Sequence, residues 1–158
     1  RFAKNWTFQG NVTWQDNRMV DIADGLYKWI EGTRLRNTPY FFSNASISGQ
    51  FVNLFGRGDA FKTYLHWNYI REFYLNHIPR DKEPQGFLGL FGQSGVPVTN
   101  LIPDQHLLNF GFNYSLALQP ITLGFELKNL TDTKLYDYYK IQRPGRSVHF
   151  KLYYLFYK

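Results

Sequence analysis

Four histidines (His66, His77, His106 and His149) and the carboxylates Glu72 and Glu126 are the first residues to weigh for acid–base or metal chemistry. None of the histidines stands in a metal-ligand spacing such as H-E-x-x-H, which sets two imidazoles one helical turn apart. No G-x-S-x-G elbow presents a serine nucleophile, and Glu72 and Glu126 are isolated on separate segments. There is no cysteine, which removes disulfides, thiolate metal sites and cysteine nucleophiles together. We therefore expect no catalytic residues, no bound metal, no cofactor and no enzymatic activity. His77, in the longest loop, is the one position open to a haem or metal role.

Binding is better served. Residues 76–105, NHIPRDKEPQGFLGLFGQSGVPVTNLIPDQ, combine Arg80 and Lys82 with the apolar run around Phe87, Leu88, Leu90 and Phe91. A loop of this length is functional or disordered more often than idle. It can close over an anionic ligand, rings on its apolar surface and Arg or Lys on its charge, or pack against neighbouring loops or lipopolysaccharide. By loop placement and basic-aromatic character, Trp29, Arg34, Arg36, Arg80, Phe91, Tyr138 and Arg143 are the candidate ligand-binding residues. The net charge of +6 invites a nucleic-acid reading, but the basic residues are scattered through presumed loops rather than gathered on one face, so no nucleic-acid partner is expected. Arg57-Gly58-Asp59 spells an adhesion tripeptide and reads more simply as a tight turn. The five N-x-S/T sequons, at Asn5, Asn11, Asn44, Asn113 and Asn129, are what polar alternation generates without glycosylation.

What must position these loops is a set of strands. In WTFQGNVTWQ, Trp6 to Gln15, every second residue is apolar or small and every other one is uncharged and polar. Strict alternation of this kind predicts a β-strand. It recurs in five further segments: residues 40–55, 60–75, 106–118, 121–130 and 146–158. Soluble strands average about 5 or 6 residues. These are longer, matching the ten or so residues that a tilted strand needs to cross a bilayer. Trp6 and Trp14 share a face and, at ~3.3 Å per residue and ~40° of tilt, stand roughly 20 Å apart along a membrane normal, near the two interfaces where Trp collects.

Tight turns at Gly56–Asp59 and Gln119–Pro120 alternate with long connections at 16–39, 76–105 and 131–145. An up-and-down sheet then carries its turns at one end and its long loops at the other, as outer-membrane barrels do. A small soluble barrel fills its interior with apolar side chains; here one face carries Gln, Asn, Thr, Ser, Lys and Glu throughout. The expected fold is all-β: an antiparallel up-and-down transmembrane β-barrel segment, apolar toward lipid and polar toward a wet lumen. Six strands are too few to close around such a lumen, and open edges cannot face lipid. Further strands are therefore expected outside this chain, and RFAKNWTF enters a strand at once, as a cut through a longer polypeptide does.

The end of the chain, NLTDTKLYDYYKIQRPGRSVHFKLYYLFYK from Asn129 to Lys158, resembles the C-terminal end of TonB-dependent outer-membrane receptors. Those receptors read N-L-[TF]-D, then an aromatic-rich loop, then P-G-R and a last alternating strand. Asn129, Leu130, Thr131 and Asp132, then Tyr136 and Asp137, then Pro144, Gly145 and Arg146 match residue for residue. IPDQHLLNFGFNYSLA and YDYYKIQRPGR look most like receptors of the Bacteroidetes. The resemblance implies the last six strands of a 22-stranded barrel in the bacterial outer membrane, with an N-terminal plug and TonB box outside this chain. It implies import of a scarce bulky nutrient: a ferric siderophore first, with haem, cobalamin and glycans behind it. The implied partners are outer-membrane lipid and lipopolysaccharide, the rest of the same barrel and its plug, TonB through the N-terminal part, and the barrel-assembly machinery, with a surface lipoprotein left open. Family members end on an aromatic; here Lys158 follows Tyr157, so Phe156 is expected to be the outward aromatic. The alternatives are a small stand-alone outer-membrane barrel with a structural or adhesin role, and a soluble lipocalin-like binder.

Overall fold

The computed structural model describes residues 4–92 and 94–156. Its main element is one antiparallel sheet of six strands, each hydrogen-bonded to the next along the chain: β1 (Trp6–Trp14), β2 (Phe41–Val52), β3 (Ala60–Ile70), β6 (Gln105–Ser115), β7 (Ile121–Lys128) and β8 (Ser147–Tyr154). A two-stranded ribbon, β4 (Phe73–Tyr74) with β5 (Leu101–Ile102), stands apart from it. β1 and β8 are both edges, so the described residues form an open sheet and not a closed barrel.

The register brings the alternation of each strand into line with its neighbours. Phe8 faces Ile47, Ile47 faces Leu65, Leu65 faces Phe110, Phe110 faces Leu127 and Leu127 faces Val148. One residue along, the other face carries Gln9, Ser46, His66 and Asn109 in a second row. A slip of one residue in any pairing would exchange the faces of that strand, so six aligned patterns fix the register together. Across the apolar face runs a band of rings, Trp6, Phe51, Phe61, Phe112, Phe125 and Phe150, with successive centroids 5.5, 6.4, 5.7, 5.4 and 5.3 Å apart. Cross-strand aromatic pairs of this geometry contribute ~0.5–1.5 kcal/mol each beyond area burial.

Among the described residues no second layer covers that face: Phe8 is 62% exposed and Phe150 81%. The buried hydrophobic side chains, Tyr40, Phe73, Tyr74, Ile78, Leu101, Ile102 and Leu135, belong instead to the long connections and the ribbon. The sheet is thus a wall one layer thick, and the core lies in a cap at one end of it.

The cap explains where strands stop short of the predicted spans. Residues 60–75 are not one strand. Pairing with β6 ends at Ile70, where Arg71 turns to donate to the Tyr40 hydroxyl and the Gly92 carbonyl, and Asp104 accepts the Glu72 N–H at 2.6 Å. Phe73 and Tyr74 then pair with β5. At the other end, residues 53–59 form a wider turn than the four of GRGD. Asp59, 2% exposed, accepts the N–H groups of Leu54, Phe55 and Gly56, each at 2.8 Å. Leu116 to Leu118, predicted as strand, belong to the β6–β7 turn with Leu118 fully out. Phe156 is exposed; Tyr157 and Lys158 lie outside the described residues.

Candidate functional site

Two adjoining clefts open on the polar face where it meets the cap. The larger, about 430 Å³, is lined by Gln15 at the end of β1, Asn37 to Pro39 of the first long connection, Phe42 and Asn44 of β2, Asn68 to Ile70 of β3, and Tyr138. The smaller, about 250 Å³, shares Asn68 and Ile70 and adds Gln105, Leu107, Leu135, Tyr136 and Arg143. Register puts the polar residues in place: Asn11 faces Asn44 and Asn44 faces Asn68. Their carboxamides form a ladder, Asn68 Nδ2 donating to Asn44 Oδ1 and Asn44 Nδ2 donating to Asn11 Oδ1 at 3.0 Å. Gln15 Nε2 donates to the Pro39 carbonyl, and Gln105 Oε1 accepts the Tyr136 N–H at 2.7 Å. The site therefore offers fixed amide donors and acceptors beside the apolar surfaces of Phe42, Ile70 and Tyr138, with the Arg143 guanidinium alongside. Further down the polar face lies a groove of about 390 Å³ over Gln9, Asn11, Ser46 and His66.

Of the seven residues predicted to bind ligand, Tyr138 lines the larger cleft and Arg143 the smaller. Tyr138 also packs on Phe73, their centroids 6.0 Å apart. Arg36 and Arg80 are exposed on the cap surface, the latter in a short 3₁₀ turn at Arg80–Lys82, and Trp29 is half-exposed on another at Lys28–Ile30. Arg34 is 7% exposed and points inward. Its Nε lies 3.0 Å from Asp16 and its guanidinium stacks on the Tyr40 ring at 4.1 Å. Its backbone N–H donates to Glu83, which also takes Arg18 Nη2 at 3.0 Å. This cluster ties the first long connection to the second. Partial desolvation pushes Asp16 up, but the hydrogen bonds and charges of Arg18 and Arg34 hold its carboxyl below the ordinary value. Burial pushes the Tyr40 hydroxyl up, against the opposing pull of Arg71. Phe91 lines neither cleft.

The C-terminal motif residues build the base of the last long connection. Asn129 adopts a left-handed backbone (φ 51°), takes the Thr133 N–H on its side chain and donates back to the Thr133 carbonyl. Leu130 N–H donates to the Leu108 carbonyl, and the hydroxyls of Thr131 and Thr133 meet at 2.8 Å. Asp132 accepts the Arg146 N–H at 2.9 Å, and a Cβ on Gly145 would stand 2.8 Å from the same carboxylate oxygen. Asp137 closes a turn on Tyr139 and Ile141. N-L-T-D and P-G-R thus clasp the two ends of the connection that carries Tyr136, Tyr138 and Arg143.

Gln15, Asn44 and Asn68 escaped prediction as site residues, although alternation placed them on the polar face, and Gln105 and Asn37 were read as parts of the loops 76–105 and 16–39. Register alone gathers Asn44 and Asn68, and nothing local announces it. Comparison with models of known protein families, with curated proteins and with solved structures finds no match to this chain.

Proposed function

We propose that this chain is part of the wall of a larger outer-membrane β-barrel, a TonB-dependent receptor that takes up a scarce bulky nutrient, and that the capped clefts are part of its ligand surface. The observation that carries the reading is the division of the sheet. Most of its rings and aliphatic side chains lie on one uncovered face, most of its amides, hydroxyls and charges lie on the other, where Phe42 and Ile70 are apolar exceptions at the cap, and every long connection folds at the same end. A soluble sheet would cover the rings with a second layer. Lipid covers them without one, and the unpaired edges at β1 and β8 call for neighbouring strands.

On this reading Phe42, Ile70 and Tyr138 meet the apolar surface of a ligand, the Asn44 and Asn68 carboxamides its polar groups, and Arg143 its negative charge. A ferric siderophore, which carries all three, is the first candidate. The decisive experiment is the denatured mass of the native polypeptide carrying this sequence, taken from detergent-extracted outer membranes. A species several times heavier than 18.7 kDa is expected, and one at 18.7 kDa would leave a small or oligomeric barrel in its place. In the large polypeptide, Tyr138→Ala and Arg143→Ala should each weaken siderophore binding, while unchanged affinity in both would remove the clefts from the ligand surface.

A further inference from the structure

The segment Gly86–Gly92, GFLGLFG, is closed at its neck by its terminal glycines. A Cβ on Gly86 would stand 2.8 Å from the Gly92 nitrogen, and one on Gly92 2.8 Å from the Gln85 nitrogen, so neither position accepts a side chain without opening the loop. The closed loop is then held from outside. Tyr40 donates its hydroxyl hydrogen to the Gly89 carbonyl at 3.2 Å, and Arg71 Nη2 donates to the Gly92 carbonyl at 3.2 Å. Leu88 sits in the left-handed region (φ 53°), which favours glycine or asparagine. So much fixed backbone leaves its two rings largely uncovered by the described residues, Phe87 73% exposed and Phe91 80%, while Leu90 is half-buried.

Two observations say which way they face. No residue of the segment lines the clefts on the polar side. The indole N–H of Trp14, on the apolar face at the cap end of β1, donates to the Leu88 carbonyl at 3.1 Å. The loop therefore continues the apolar face beyond the strand ends. The basic turn Arg80–Lys82 stands at its neck, tied there by Gln85 Nε2 donating to the Arg80 carbonyl; Asp81 lies 3.9 Å from Lys82 within it. Rings at an apolar–polar boundary with Lys and Arg beside them suit the headgroup level of a bilayer.

We propose that this glycine-closed loop is a lipid-interface anchor. It seats Phe87, Leu88 and Phe91 in the headgroup region of the leaflet on the cap side, above Trp14, with Arg80 and Lys82 toward anionic headgroups. The proposal rests on the lipid-facing reading of the sheet, and one experiment separates the two. In the full polypeptide carrying this chain, reconstituted in vesicles of phosphatidylcholine and phosphatidylglycerol, single cysteines replace Phe91, Phe150 and Gln9 in turn and carry a nitroxide spin label. Collision with oxygen, which concentrates in lipid, is compared with collision with a water-soluble nickel chelate. The anchor predicts oxygen-dominated collisions at Phe91→Cys and Phe150→Cys, shallower at the former, and nickel-dominated collisions at Gln9→Cys. Nickel dominance at position 91 with oxygen dominance at 150, or shielding of 91 from both reagents, overturns the anchor alone. Nickel dominance or shielding at 150 overturns the lipid-facing sheet and the anchor with it.

Discussion

Glu83 shows what a single residue does in the cap. Its carboxylate is nearly fully buried and gathers the Arg34 N–H and the Arg18 guanidinium, whose partner Asp16 also holds Arg34. Removing one member of a buried ionic cluster leaves the others desolvated without compensation, at about 3 kcal/mol. Glu83→Ala is therefore expected to speed amide exchange at Arg34 and through the first long connection while leaving β2 and β3 protected. Equal protection in the variant would show that the cap is held by its apolar core alone. Asp16 adds a pH dependence. Its folded pKa lies below the ordinary value of 3.8 because Arg18 and Arg34 outweigh its partial desolvation. The unfolded segment thus takes up a proton first as pH falls. The stabilisation is complete above the ordinary value and is lost progressively as pH drops through it toward the folded value. Exchange protection of the cap should accordingly fall in that acid window, and Asp16→Asn should flatten the profile. None of this was legible from local sequence. Arg34 reads as a rim arginine because it lies in a polar connection, and Glu83, which takes its backbone N–H and joins Asp16 and Tyr40 in enclosing it, is far along the chain.

Strands were the most legible elements, because alternation over ten residues reports both the strand and its two faces. Their ends were not. Arg71 interrupts a run that stays apolar through Leu75, and the cause is tertiary: the Tyr40 hydroxyl, the Gly92 carbonyl and Asp104 compete for the backbone and side chains at the rim. The β2–β3 turn was recognised from GRGD but not in its full extent, since Asn53 (φ 57°) and its side-chain contact to the Gly58 N–H begin it earlier. Asp59 also accepts the Tyr114 hydroxyl at 3.0 Å, which links this turn to the next strand pair. Its partial desolvation is outweighed by the Phe55 N–H, the Tyr114 hydroxyl and the Leu54 and Gly56 N–H groups, which hold its carboxyl below the ordinary range. A carboxylate so occupied is not free to serve an adhesion tripeptide. Asp59→Ala should free three backbone donors at once and loosen the turn, visible as faster exchange at Leu54 to Gly56. Peptide competition for integrin-type receptors should detect no binding by the parent chain; a specific signal lost in the variant would contradict the turn reading.

At the scale of the whole molecule the open sheet sets a sharper test than any loop, because adjacent residues on one strand answer oppositely. Leu65 and His66 lie at the middle of β3, the first in the row from Phe8 to Val148 and the second in the row with Gln9, Ser46 and Asn109. If the apolar face meets lipid, Leu65→Arg places a guanidinium near the bilayer midplane, at a cost of about 2–4 kcal/mol. His66→Arg places the same group on the wetted face, where the cost is small and the groove beside Gln9 and Asn11 has room for it. Both substitutions leave the backbone ladder intact, so strand propensity cancels between them. Denaturant unfolding of the full polypeptide in lipid vesicles should therefore show a large loss of stability for Leu65→Arg and little for His66→Arg. A soluble barrel with the rings inside predicts the same order in buffer, so the comparison is repeated without lipid: the lipid-facing wall gives no folded reference state there. A cooperative transition without lipid or detergent would show that protein, and not membrane, covers the band of rings from Trp6 to Phe150.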